Sequence, residues 1–269
     1  MEMLISTGVF AGVGFGLYFL SLKFPLLEYG PQRLTWTDAG ISALAFAFVP
    51  LVEWAVAPIV VTMLQMMEPG SLMARDFSQS LHPALQIILF SLVCDFLSYW
   101  SHRLMHTGFI WRFHAFHHSP KVLNWLSGNR GTPIHFALNL IPYTIAAQIF
   151  LQSEERYLFW GMMFFNALIQ NLTHTSLKLP FSRQLEWLFI TPRAHFVHHH
   201  PNPKYTNSNY AFVYSIWDRV FGTYTPPEAV DEKGLLGLDY DTSATTLFVG
   251  FPDRRTPSKY VAQPERKSA

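Results

Sequence analysis

Eight of the twelve histidines in this chain fall into three tight clusters: His102-Arg-Leu-Met-His106, His114-Ala-Phe-His117-His118 and His195-Phe-Val-His198-His199. On a helix, positions three and four apart project from one face, so each cluster can aim two or three imidazoles at a common point. Neutral imidazole ligates zinc, copper, iron or nickel. Eight converging nitrogens exceed what one tetrahedral ion needs, and a pair of metal ions is the economical reading. His200 follows the third cluster but leaves the shared face, which suits solvent or a neighbour of a ligand better than a metal.

The clusters lack the marks of the common hydrolytic sites. A zinc-protease helix carries His-Glu-x-x-His with the glutamate as general base, whereas Arg103 follows His102 and Ala115 follows His114. The inverted motif needs glutamate before the final histidine, and His117 stands there. The Glu and Glu-x-x-His ligands of soluble di-iron bundles are missing too. An imidazole-dominated metal pair remains; with open positions, redox-active iron there could bind and reduce dioxygen for attack on unactivated C–H bonds.

The elements that must position these rings are apolar. The chain has 269 residues, 50% hydrophobic, 16% aromatic and only 14% charged, against about 25% charged in soluble domains. The deficit points to lipid as solvent. Net charge is +1, without the basic block that nucleic acid demands. The single cysteine, Cys94, rules out a disulfide framework and reads as a small buried hydrophobe.

Crossing a bilayer takes about 20 apolar residues. Residues 4–22 meet that as a retained first helix, without the positive leader of a cleaved signal. Residues 39–67 form a second apolar region, interrupted by Pro50, Glu53 and Pro58, read as a long kinked helix or a span plus an interfacial piece. A third run covers 83–100, and 134–151 with 157–172 read as a helical hairpin around the polar turn 152–156. That path returns all three clusters to one membrane face, together with every Lys and Arg except Arg75 and Arg156. The positive-inside tendency makes that face cytoplasmic. The expectation is an all-α, multi-pass bundle of about four to five spans with a histidine-rich helical cap. Residues 1–82 would be the lead-in helices, 83–225 the catalytic region and 226–269 a polar, loosely structured tail.

The pattern resembles the fatty acid hydroxylase / sterol desaturase superfamily of membrane di-iron oxygenases. The matching segments are Asp95-Phe-Leu-Ser-Tyr99-Trp-Ser-His102-Arg-Leu-Met-His106, Trp111-Arg-Phe-His114-Ala-Phe-His117-His118-Ser, His174-Thr-Ser-Leu-Lys-Leu-Pro180 and Thr191-Pro-Arg-Ala-His195-Phe-Val-His198-His199, closed by Asn209-Tyr210 and Trp217-Asp-Arg-Val-Phe-Gly-Thr-Tyr224. The resemblance covers about residues 85–224. It implies two iron ions, O2 as co-substrate, and electrons from a separate ferredoxin or cytochrome b5-type donor, acting to hydroxylate, desaturate or cleave a lipid. Carried over position by position, it makes His102, His106, His114, His117, His118, His174, His195, His198 and His199 the ligand set. Where many relatives have Arg-x-His-Pro-x-Glu, this chain has Arg130-Gly-Thr132-Pro-Ile-His135. Either that stretch tolerates the exchange or a ligand has moved to His135.

Other residues carry expectations of their own. Asp95 lies two turns before His102 and is read as the acceptor orienting a ligating imidazole, or else as a bond to a neighbouring helix. His82, just before Pro83, reads as a helix cap or interfacial group. Asp218 and Arg219 either pair with the clusters or brace the cap. The aromatics Trp100, Trp111, Phe113, Phe116, Trp125 and Phe196 suit an interfacial belt or the wall of a substrate channel. The function expected is an O2-dependent lipid hydroxylase. The rivals are a membrane metal transporter or sensor, disfavoured because transport sites lie near mid-bilayer, and a zinc-dependent lipid hydrolase.

Overall fold

Pro83 and His82 start the helix on which the site depends. Proline at the first turn lacks an amide that would go unpaired anyway, and His82 Nδ1 accepts from the Ala84 amide at 3.3 Å. His82 is therefore a cap. The computed structural model describes residues 2–30, 32–66, 70–150, 156–240 and 242–250. Over these the order is α1 (Glu2–Lys23), α2 (Trp36–Phe46), α3 (Val49–Met66), α4 (Gly70–Gln79), α5 (Pro83–Met105), α6 (Trp111–His118), α7 (Pro133–Phe150), α8 (Arg156–Thr173), α9 (Ser182–Leu185), α10 (Pro192–His198), α11 (Pro203–Thr206), α12 (Ile216–Val220) and α13 (Ala244–Phe248). Among the described residues, β pairing is limited to the isolated bridges Pro25–Leu177 and Phe189–Tyr214. The fold is all-helical, as expected.

α7 packs on α5, α3 and α4, while α8 packs on α1 and α10. Among the described residues, the two arms of the hairpin expected from 134–151 and 157–172 pack mainly on other helices. Its turn at 152–155 lies outside the described residues. The α5–α7 contact is made by Phe90, Cys94, Ala146 and Phe150, with Cys94 a buried hydrophobe. The apolar region 39–67 divides into α2 and α3 at Ala47–Phe48, and Pro50 falls in the first turn of α3, where its missing amide would go unpaired anyway.

Among the described residues, α5 alone is long and apolar enough to cross a membrane; Gly8–Lys23 and Pro50–Met63 are shorter apolar stretches. α5 exposes Leu85, Ile87, Ile88, Trp100 and Leu104 and buries Gln86, Phe90, Asp95, Ser98, Tyr99 and His102, so the face it covers changes along its length.

The short helices gather at the C-terminal end of α5. Gly108, with φ +34°, lies in the turn that leads from α5 into α6. α10 starts as α5 does, with Pro192 in the first turn and Thr191 Oγ1 accepting from the Ala194 amide. The tail is not loose up to residue 250. Val230 packs with Val197 and Tyr205, Leu236 against Leu123 and Phe196, and Leu247 of α13 against Ala115 and Phe116 of α6. Apolar residues spaced through a polar stretch anchor it; residues 251–269 lie outside the description. Three aromatics read as belt or channel wall, Phe116, Trp125 and Phe196, are core residues instead, and of the six Trp100 is the exposed one.

Candidate metal centre

Two helices with the pattern His-x-x-His-His face one another beside the end of α5. One turn of α-helix takes 3.6 residues. The first and last histidines of the pattern therefore point about 40° apart, and the middle one diverges from the last by about 100°. The structure uses that divergence to divide the rings into two groups, whose candidate ligand atoms lie within 4.8 Å of one another. His102 and His106 of α5, His114 and His118 from α6, and His198 from α10 form one group. His117 from α6, His174 just beyond α8, and His195 and His199 from α10 form the other. Each His-x-x-His-His helix thus serves both groups, two rings to one and one to the other. The nine histidines named from the resemblance are the nine brought together. The division was readable in the spacing, yet it was not read.

Within the groups it is Nε2 that faces inward. His102 and His118 Nε2 lie 3.1 and 3.0 Å from His114 Nε2. His174 Nε2 lies 3.4 Å from His117 Nε2 and 2.9 Å from His195 Nε2, which is 3.2 Å from His199 Nε2. Four outer nitrogens are held by backbone carbonyls, whereas His118, His195 and His199 Nδ1 are buried with no partner among the described residues. His102 Nδ1 donates to the Tyr210 carbonyl (2.6 Å), His198 Nδ1 to that of Ser208 (2.7 Å), His174 Nδ1 to that of Gln170 (2.8 Å) and His117 Nδ1 to that of Arg130 (3.2 Å). A carbonyl only accepts, so these four rings carry the proton on Nδ1, and a neutral ring then presents a bare lone pair at Nε2.

That assignment tests whether a metal fits. His117 and His174 both point lone pairs at one another across 3.4 Å, which is no hydrogen bond. His106 Nε2 and His198 Nε2 are buried with no partner among the described residues. Protons do not relieve the crowding. Burial first, and the charge of neighbouring rings second, hold His106, His114, His117, His118, His195, His198 and His199 well below the ordinary histidine value. A cation that accepts lone pairs fits instead. Two imidazoles bound at about 2.0–2.1 Å to one ion at 90–109° lie about 2.9–3.4 Å apart, the spacing found here.

His135 belongs to neither group. Its Nδ1 lies 2.9 Å from His114 Nδ1 and its Nε2 lies 3.0 Å from the Asn139 amide, and its ring stacks on His114 and His117. Thr132 caps α7, accepting from the His135 amide at 3.1 Å. His200 turns away into a buried position, where its ring meets the Glu232 carbonyl at 2.8 Å and the Asn202 amide at 3.0 Å. It is not solvent-exposed.

Asp95 corrects the expectation attached to it. Its carboxylate accepts no imidazole proton among the described residues; it takes the amides of Phe212, Val213 (both 3.0 Å) and Tyr214 (2.7 Å). Asp218 accepts the two preceding amides, Tyr210 at 2.8 Å and Ala211 at 3.0 Å. Asp218 is thus a brace. Arg219 donates to the Glu186 carbonyl at 2.8 Å and lies over Trp187 and Tyr224. Glu186 was not singled out in the sequence, where a lone acidic residue carries no signal. Buried, it accepts from Thr191 Oγ1 (2.6 Å) and from Arg193 Nε and Nη2 (2.6 and 2.9 Å) at the start of α10.

The family model described as fatty acid hydroxylase matches residues 87–223, a stretch that contains both histidine groups and both aspartates. The chain belongs to the fatty acid hydroxylase family. Fatty acid hydroxylase relatives include the alkylglycerol monooxygenase of Xenopus tropicalis, 35% identical over 160 residues, covering 54% of this chain and 31% of that protein. The ornithine lipid hydroxylase OlsE of Rhizobium tropici is 33% identical over 150 residues, 54% of this chain and 43% of that one. Lathosterol oxidase of Mus musculus is 26% identical over 156 residues, 57% and 50% of the two chains. The matches span about a third to a half of these relatives' lengths. No solved structure matches.

Proposed function

We propose that this protein is an O2-dependent lipid oxidoreductase with two iron ions, one held by His102, His106, His114, His118 and His198, the other by His117, His174, His195 and His199. The observation that carries this reading is the inward convergence of Nε2 lone pairs in two adjacent groups. Bound iron would supply O2 reduction and the oxidising power for an unactivated C–H bond. The chain's own residues do the rest. Backbone carbonyls fix the tautomers of His102, His117, His174 and His198, and the burial of the cluster keeps water from the ligands. The relatives' names cover hydroxylation and oxidation of lipids; an ether-linked glycerol lipid is the first substrate to try, since alkylglycerol monooxygenases are among the relatives at 33–35% identity.

The same reading embeds α5 and the apolar faces of α1 and α3 in a bilayer as a multi-pass anchor, with the short helices as a cap on the cytoplasmic side. It takes electrons from a ferredoxin or cytochrome b5-type partner. Support comes from the apolar length of α5 and from the histidines gathered at its C-terminal end.

The test is metal analysis of the purified full chain followed by incubation with 18O2, a reductase system and alkylglycerol, ornithine lipid or sterol. Two irons and a product carrying one labelled oxygen are expected. His117→Ala should abolish turnover while membrane insertion persists. Zinc alone with O2-independent activity would overturn the proposal.

A further inference from the structure

Five consecutive backbone amides, 210–214, point into two buried carboxylates brought from far apart in the sequence. Asp218 accepts the first two and Asp95 the next three, at 2.7–3.0 Å. Both side chains are buried. A carboxylate offers two oxygens that only accept, so it can hold several amides at once; an amide side chain offers one such oxygen and turns a donor toward the rest. The pairing calls for acceptors alone, and a carboxylate supplies them.

The clamped segment has a specific cargo. Directly before and at its start lie the groups that hold three outer nitrogens of the five-histidine site. Asn207 Oδ1 is 3.3 Å from His106 Nδ1, the Ser208 carbonyl 2.7 Å from His198 Nδ1 and the Tyr210 carbonyl 2.6 Å from His102 Nδ1. The other site draws its outer partners elsewhere, from the Gln170 and Arg130 carbonyls. Asn209 makes the turn between them, at φ +54°, a backbone that asparagine tolerates better than most residues. Its amide donates to the Thr223 carbonyl at 2.9 Å. Thr223 Oγ1 in turn donates to Asp218 at 2.7 Å and meets Tyr99 Oη at 3.0 Å, tying the clamp to α5.

We propose that Asp95 and Asp218 are positioning residues that fix segment 207–214 as the mount of the five-histidine site, setting that site's metal affinity and leaving its neighbour's alone. The inference rests on the two-metal reading above. Groups that orient metal-bound histidines typically change affinity about 10–100-fold when removed, and here the loss should be confined to one site.

The experiment is an equilibrium titration of the metal-free, full-length protein in detergent with Co(II), read by its visible absorption and by bound metal. Wild type should take up two equivalents. Asp95→Asn and Asp218→Asn should each keep one equivalent at wild-type affinity and bind the other about 10–100-fold more weakly. In a His195→Ala background, Asp218→Asn should weaken the remaining tight site; in a His198→Ala background it should leave the remaining site unchanged. Parallel weakening of both sites would reduce the aspartates to a general structural role and overturn the proposal, as would wild-type binding at both. Should the Asn variants fail to fold, Thr223→Val decides: a smaller loss confined to the five-histidine site supports the clamp, and unchanged binding refutes it. Failure of the wild type to bind two ions would instead sink the two-metal reading and this inference with it.

Discussion

His174 sits against Gly128 with no volume to spare. A Cβ added there would come within 2.3–2.5 Å of the His174 Cγ, Cδ2 and Cβ atoms, well inside any real contact. Gly128→Ala should therefore push the ring off its inward aim, and metal analysis should find about one ion lost although every ligand is still present. His135 makes a contrasting case. It touches His114 from behind, so His135→Ala should weaken the five-histidine site about 10–100-fold without deleting it, the cost expected for an outer partner. Complete loss of one ion in that variant, equal to the loss in His114→Ala, would make His135 a ligand. His135 backs His114 and leaves the nine inward rings in place.

At the scale of elements, α10 bears two ligands on only seven residues and a third, His199, directly after them, so it depends on its neighbours for its position. Glu186 provides much of that hold through Thr191 and Arg193. Arg193→Leu leaves the buried Glu186 without its cation, and breaking such a pair costs about 3 kcal/mol. Thermal unfolding should show a lowered midpoint, with the loss largely restored in Glu186→Gln/Arg193→Leu, where no unpaired charge remains. Much at this scale was legible in the chain. The apolar run that starts at Pro83, with His82 as its cap, marks α5 by local chemistry alone. Partner choice was not legible: α7 and α8 are both apolar on several faces, and apolarity does not say which neighbour a face will cover. Nor was the Asp95–Asp218 clamp, because its acceptors meet backbone amides, which every residue carries. The tail was misread since Val230, Leu236 and Leu247 are too scattered to form a periodic signal.

For the molecule as a whole, the metal-free protein is a collection of buried neutral imidazoles, and this sets a pH window. In the unfolded chain these rings protonate near 6.5; in the folded chain His106, His114, His117, His118, His195, His198 and His199 do so well below that value. Between the two values the unfolded state binds more protons, so stability is full above about 6.5 and falls with acidification, by about 1.4 kcal/mol per pH unit for each such ring. Melting temperatures of the metal-free protein should drop steeply from pH 7 to 5, and a flat profile would contradict the burial described here. The metal-loaded protein should resist the same change until protons outcompete the ions.

Eight of the nine histidines are buried and His106 is half-buried, with His118, His198 and His199 wholly enclosed; α13 packs on α6 and the Gly237 amide donates to the His199 carbonyl. An enclosed centre exchanges with its surroundings at the pace of the enclosure. A chelator added to the finished protein would wait for the flap of chain to lift, and stripping would become independent of chelator concentration once it is abundant. Supply of the ion during biosynthesis, before Gly237 and α13 have settled over the site, would then decide how much of the population ever becomes competent.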